Sequence, residues 1–187
     1  MDRQNGGYGW ANTIVHVRWS GLAVLSLLLM APLSLAQVVG KLGEMDRLEQ
    51  QANDLAAQAD PEGAALAIGK AAMMADLLTT ESQKLAAGEI FQAASLLYRA
   101  QELGFRALAL FERTGGTPPA PAGVCQYLLQ GHQKLADSKD QLERMTSVSP
   151  EEIKVRRENL LQKNEEWENL LLGLHKDFAC SDTPHKK

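Results

Sequence analysis

The chain has 187 residues, and its 19 Lys and Arg against 23 Asp and Glu give a formal net charge of −4. Binding to nucleic acid or to anionic lipid depends on counterion release and needs several basic residues on one face, which this sequence does not provide. We therefore expect no nucleic-acid partner and no lasting membrane contact, and the length fits one modest domain or two helical hairpins.

Residues 1–36 have the pattern of a cleavable signal peptide. Arg3 and Arg18 precede an apolar run of about 15 residues, which matches a signal-peptide core and is shorter than the ~20 residues that span a bilayer. Small residues follow at the positions that a signal peptidase reads. We predict cleavage between Ala36 and Gln37, which yields an exported, periplasmic or extracellular protein. The alternative is a membrane-anchored protein with an uncleaved N-terminal helix.

Residues 37–113 are predicted to hold a short first helix and a helical hairpin. Apolar residues recur every three or four positions over 41–59, which indicates the first helix. Asp60 is a good N-cap and a proline follows it, so a second helix is predicted over 61–87. A glycine then separates it from a third helix over 89–113. The many alanines of the second helix predict that it lies at the centre of the bundle.

A linker rich in glycine and proline, residues 114–122, leads to a second hairpin with a tail, residues 123–187. Its first helix is predicted to end near Met145. Ser149 and Glu152 form a capping box that starts the fifth helix, whose apolar residues then repeat every seven positions. The predicted fold is therefore all-α: an antiparallel helical bundle of two hairpins plus a shorter first helix, with coiled-coil-like spacing in the last helix.

Two cysteines, Cys125 and Cys180, follow the predicted cleavage site, and an even number in an exported protein suggests a disulfide. Folding the second hairpin about Ser147 places Cys125 opposite Leu170, which is roughly 15 Å along the helix from Cys180. A disulfide needs Cα atoms within about 7 Å. A straight fifth helix therefore forbids the bond, and a helix that ends near Gly173 allows it. A disulfide and two free thiols both remain open.

The residue types that catalysis and metal binding need are sparse in this sequence. Hydrolysis by a nucleophilic side chain usually needs a histidine base. The same hairpin register places His132 opposite Lys163, twelve residues from His175, so the two imidazoles are not expected to share a site. His185 lies in the tail. Paired metal-ligand spacings and phosphate-binding loops do not occur in the sequence. We predict that the protein is not an enzyme and needs no metal or cofactor.

An aromatic stripe on the third helix is the feature that stands out. Phe91, Tyr98 and Phe105 follow one another at intervals of seven residues, so they share one face of the helix. Either neighbouring helices cover this stripe or it binds a partner. We expect a non-enzymatic adaptor or assembly component that binds another envelope or secreted protein. The alternative is a carrier that holds a small apolar ligand between the hairpins, near Met73, Met74 and Phe91.

Overall fold

A computed structural model of the protein describes residues 39–82, 86–145 and 151–180. Every regular element in these three stretches is an α-helix, as the sequence predicts. The five helices are α1 (39–57), α2 (Pro61–Glu81), α3 (Ala86–Arg113), α4 (Ala122–Arg144) and α5 (Glu151–Asp177). From Lys41 onward the described residues form one compact unit.

Several sequence predictions concern residues outside these three stretches. They are the signal peptide with its cleavage site between Ala36 and Gln37, the capping serine Ser149, and His185 in the tail. Among the described helices, none combines the length and the apolar character that are needed to cross a membrane.

The start of α2 follows from a local signal, whereas the start of α3 does not. The Asp60 carboxylate accepts a hydrogen bond of 2.9 Å from the Gly63 amide, and a proline occupies the first helical position, as predicted. The helix ends at Glu81, and α3 begins at Ala86. Gly88 therefore lies inside the first turn of α3, where it is buried, and the prediction that it separates two helices is wrong.

Three helices, α1, α3 and α5, end in the same C-cap. The second residue after each helix adopts a left-handed conformation. The amide of the residue that follows it donates to the carbonyl of the residue five positions earlier, which is the Schellman motif. The left-handed residues are Ala59 (φ 58°), Gly115 (φ 101°) and Ala179 (φ 52°), and the closing hydrogen bonds are 3.0, 2.9 and 3.1 Å long. At the end of α5 this cap turns the chain back toward α4 directly after Asp177.

The central helix of the bundle is α3. It packs against α2, α4 and α5, and α4 also packs against α5. Met45, Leu48 and Ala52 of α1 are buried as well. The prediction that α2 is central is wrong, since among helices α2 to α5 it contacts α3 alone. Alanines let two helices approach closely, but they do not set the number of neighbours that a helix has.

The register of the α4–α5 hairpin differs from the predicted one. The Asn164 side-chain amide donates to the Ser138 hydroxyl at 3.1 Å, so the hairpin is centred near residue 151 and not at Ser147. Moving the centre of the hairpin by about four residues changes the α5 residue that lies opposite a given α4 residue by about eight positions. Cys125 and Cys180 consequently meet with Cα atoms 5.6 Å apart, and they are bonded. The prediction that a straight fifth helix forbids the disulfide is wrong.

Candidate functional site

The predicted partner-binding stripe lies in the core of the bundle. Phe91, Tyr98 and Phe105 are only 7%, 1% and 5% exposed. The Tyr98 hydroxyl donates to the Glu49 carboxylate of α1 at 3.1 Å, and the Phe105 ring packs nearly perpendicular to the Trp167 ring of α5 with centroids 5.1 Å apart. Helices α1 and α5 thus cover Tyr98 and Phe105, and all three residues of the stripe lie in the core and not at the surface.

A cleft of about 590 Å³ lies between α1 and α5, and Tyr98 is among the residues that line it. Burial, followed by the charge of Glu49, raises the pKa of Tyr98 far above its ordinary value of 10.0, so its hydroxyl stays protonated and acts as a donor. Glu49 also pairs with Lys163, and Arg156 pairs with Asp46 at 3.3 Å. These contacts join α1 to α5. Because the tyrosine cannot ionise near neutral pH, this cleft offers no phenolate base or nucleophile.

His132 and His175 lie close to one another, contrary to the prediction. Burial lowers the pKa of His132 below its ordinary value of 6.5, and the charge of His175 lowers it further, whereas Glu168 and the Leu171 carbonyl oppose the shift. The Nε2 atoms of both imidazoles are buried without a hydrogen-bond partner. The shifted register of the hairpin is the reason for their proximity, since it places residue 170 opposite His132, and His175 follows only five residues further along α5.

The two histidines do not belong to a metal site of the usual kind. Within residues 39–82, 86–145 and 151–180, no three His, Cys, Asp or Glu side chains are grouped so that they would hold a metal ion. The polar groups nearby are structural: Ser138 donates to the Ala93 carbonyl at 2.9 Å, and Asn164 donates to Ser138. This chain of hydrogen bonds connects α3, α4 and α5.

The exposed apolar side chains of α2 form the most distinctive surface among the described residues. Leu66, Met73 and Leu77 are 64%, 63% and 52% exposed, and intervals of seven and four residues place them on one side of the helix. Lys70 lies between them on that side and is also exposed. We call these four residues the α2 outer face.

The opposite side of α2 accounts for this exposure. Its buried residues are mainly alanines, and they pack against the central helix α3. Leu66, Met73 and Leu77 lie on the other side, where the described residues leave them more than half exposed. The other exposed large apolar residues lie on other helices, and these are Val39, Leu129, Val155 and Leu170. None of these helices presents three such residues along one side.

A cleft of about 550 Å³ adjoins the α2 outer face at the N-terminal end of α2. Leu66 lines it together with Leu110 of α3 and Tyr127 of α4, and Arg106 and Arg113 stand at its edge. The carrier hypothesis places a ligand near Met73, Met74 and Phe91. Met73 is exposed whereas Phe91 is buried in the core, and none of the three residues lines this cleft or the one beside Tyr98.

Over the described residues, the fold and this surface define an all-α helical bundle with a disulfide and one exposed apolar helix face. No protein-family model matches the sequence, and comparison with curated proteins and with solved structures yields no match either. The spacing of Leu66, Met73 and Leu77 can be read from the sequence. Their exposure cannot, because periodicity shows which residues share a face and not which face is covered.

Proposed function

We propose that the protein is an exported, non-enzymatic helical-bundle protein that binds another envelope or secreted protein through the α2 outer face. The observation that carries this proposal is the grouping of Leu66, Met73 and Leu77, each more than half exposed, on one side of one helix. Single exposed leucines are ordinary on protein surfaces, whereas several large apolar side chains grouped on one side of a helix are typical of an interaction site. An amphipathic helix of the partner would cover such a stripe.

Two features support the exported location. Residues 1–36 have the charge pattern, apolar run and small residues of a signal peptide. The disulfide between Cys125 and Cys180 is compatible with the oxidising conditions outside the cytosol. An oxidising compartment would let the second hairpin form this bond while it folds.

The apolar area of the α2 outer face determines how much a substitution there weakens partner binding. Complete burial of one leucine or methionine side chain contributes about 1.5 to 3 kcal/mol, and those of the α2 outer face are already partly covered. Replacing Met73 and Leu77 by glutamine therefore weakens partner binding by about 2 kcal/mol, which is roughly a 30-fold change in Kd. Both side chains are exposed, so the bundle itself should keep its stability.

The test compares two double variants in capture from envelope and secreted fractions of the native host. The first variant is Met73→Gln with Leu77→Gln. The matched control is Leu129→Gln with Leu170→Gln, which removes two leucines that are 45% and 44% exposed on α4 and α5. We expect the first variant to lose the captured protein and the control to retain it, with equal melting temperatures. Equal capture by both variants would contradict the proposal.

A further inference from the structure

The α2 outer face has a charge at its centre. Lys70 stands four residues after Leu66 and three before Met73, so it projects from the same side of the helix as these apolar residues. A partner that covers Leu66 and Met73 must also cover the Lys70 side chain or displace it. The charge of Lys70 therefore influences which partners fit.

The charges around Lys70 are already paired within the chain. All three carboxylates of α2, and Glu102 of α3 beside Gly69, have a cationic partner. The pairs are Glu62 with Arg113 at 3.7 Å, Asp76 with Arg99 at 2.5 Å, Glu102 with Arg106 at 2.6 Å, and Glu81 with Lys41. Lys70 forms no salt bridge with any residue of the three described stretches. It is thus the uncompensated charge of this surface.

We infer that the partner segment is an amphipathic helix with acidic residues beside its apolar stripe, one of which pairs with Lys70. This inference rests on the proposed function and specifies the chemistry of the partner. Covering the stripe removes part of the water from around the lysine, and an ammonium group that loses water without gaining a partner is unfavourable. A carboxylate on the partner restores that interaction and also fixes the position of the partner along α2.

A second copy of this chain fits the surface less well. An antiparallel copy that matches Leu66 with Leu77 places the two Lys70 residues on the same side of the contact, about 4.5 Å apart along the helix axis. The two like charges would then repel each other. A membrane surface is also a weaker fit, because one unpaired lysine gives little attraction to anionic lipid and stable adsorption needs several.

The test uses two synthetic helical peptides of 18 residues with identical leucines at i, i+4, i+7 and i+11. The positions that flank the leucines are all glutamate in one peptide and all lysine in the other. Fluorescence anisotropy with the disulfide-bonded protein at about 0.15 M salt measures both dissociation constants. Since exposed ion pairs are weak, we expect the acidic peptide to bind about threefold more tightly. The variant Lys70→Glu should reverse this preference, and Lys139→Glu on α4 should leave it unchanged.

The possible outcomes separate this inference from the proposed function. If both peptides bind equally, the acidic-partner inference is wrong and the apolar binding face remains. If neither peptide binds, both proposals fail. Dimerisation in sedimentation experiments that Met73→Gln abolishes would identify a second copy as the occupant and overturn the inference. Adsorption to phosphatidylglycerol-containing vesicles that Lys70→Glu abolishes would overturn it in favour of a membrane.

Discussion

Removal of the Cys125–Cys180 disulfide is expected to lower the free energy of unfolding by about 4 kcal/mol. The two cysteines are 55 residues apart in sequence, so the bond closes a long loop in the unfolded chain. In the chain-entropy model a loop of this length corresponds to roughly 14 cal/mol/K, or about 4 kcal/mol at 25 °C. Since domains are stable by only about 5 to 15 kcal/mol, this bond supplies a large share of the stability.

The folded structure around the bond should survive its removal. The rings of Phe111 and Phe178 stack with centroids 3.9 Å apart, and the Ala120 amide donates to the Phe178 carbonyl at 2.8 Å. These contacts hold the end of α5 against α3 and the linker without help from the sulfur atoms. The loss therefore acts mainly through the unfolded state, whose conformational freedom increases when the loop is opened.

Urea unfolding of the native protein and of the double variant Cys125→Ser, Cys180→Ser measures this difference. We expect a lower transition midpoint and a melting temperature about 10 °C below that of the native protein, with an unchanged helical circular-dichroism spectrum before unfolding. The reduced native protein serves as the control and should match the double variant. A loss of less than 1 kcal/mol, or two alkylatable thiols in the untreated protein, would refute the reasoning.

Further predictions concern four single substitutions. A Cβ atom at Gly131 would lie 2.9 Å from the Leu171 side chain, so Gly131→Ala should destabilise the protein by about 2 kcal/mol in the same urea assay. A Cβ atom at Gly173 would have no neighbouring atom within 4 Å, so Gly173→Ala should stabilise the protein by up to about 1 kcal/mol. Ala59 has a φ of 58°, so Ala59→Gly should raise the melting temperature by relieving a left-handed alanine, and an unchanged or lower value would contradict the strain. The pKa of His132 is lowered in the folded state, so the unfolded chain binds the proton more readily and stability falls as the pH drops below about 6.5. The variant His132→Gln should therefore lose less stability than the native protein between pH 7 and pH 5. Equal slopes of unfolding free energy against pH for the two proteins would exclude the imidazole as the source of this loss.

The helices were predictable from the sequence because their signals are local. Asp60 and the proline that follows it determine the start of α2 through a hydrogen bond that spans three residues. Apolar periodicity likewise indicates helices along most of the described chain. Gly88 did not reveal where α3 starts, because a buried glycine inside a helix and a glycine that ends a helix look the same in sequence.

The contacts between helices were less predictable because small local errors grow along a hairpin. Placing the turn at Ser147 moved the expected partner of Cys125 by several residues, and it also separated His132 from His175. The sequence also does not show which helix face forms the candidate site.

An amphipathic stripe on α3 and one on α2 look equally able to bind a partner, and only the packing of α1 and α5 shows that Tyr98 is covered.

Site-specific photocrosslinking in the native host tests whether the α2 outer face binds another protein. A photoreactive amino acid replaces Met73 on the α2 outer face in one variant and the exposed Val155 on α5 in a second variant. We expect a discrete crosslinked product with another envelope or secreted protein from position 73, and no such product from position 155. The absence of a product from position 73, or the same product from both positions, would contradict a binding surface on α2.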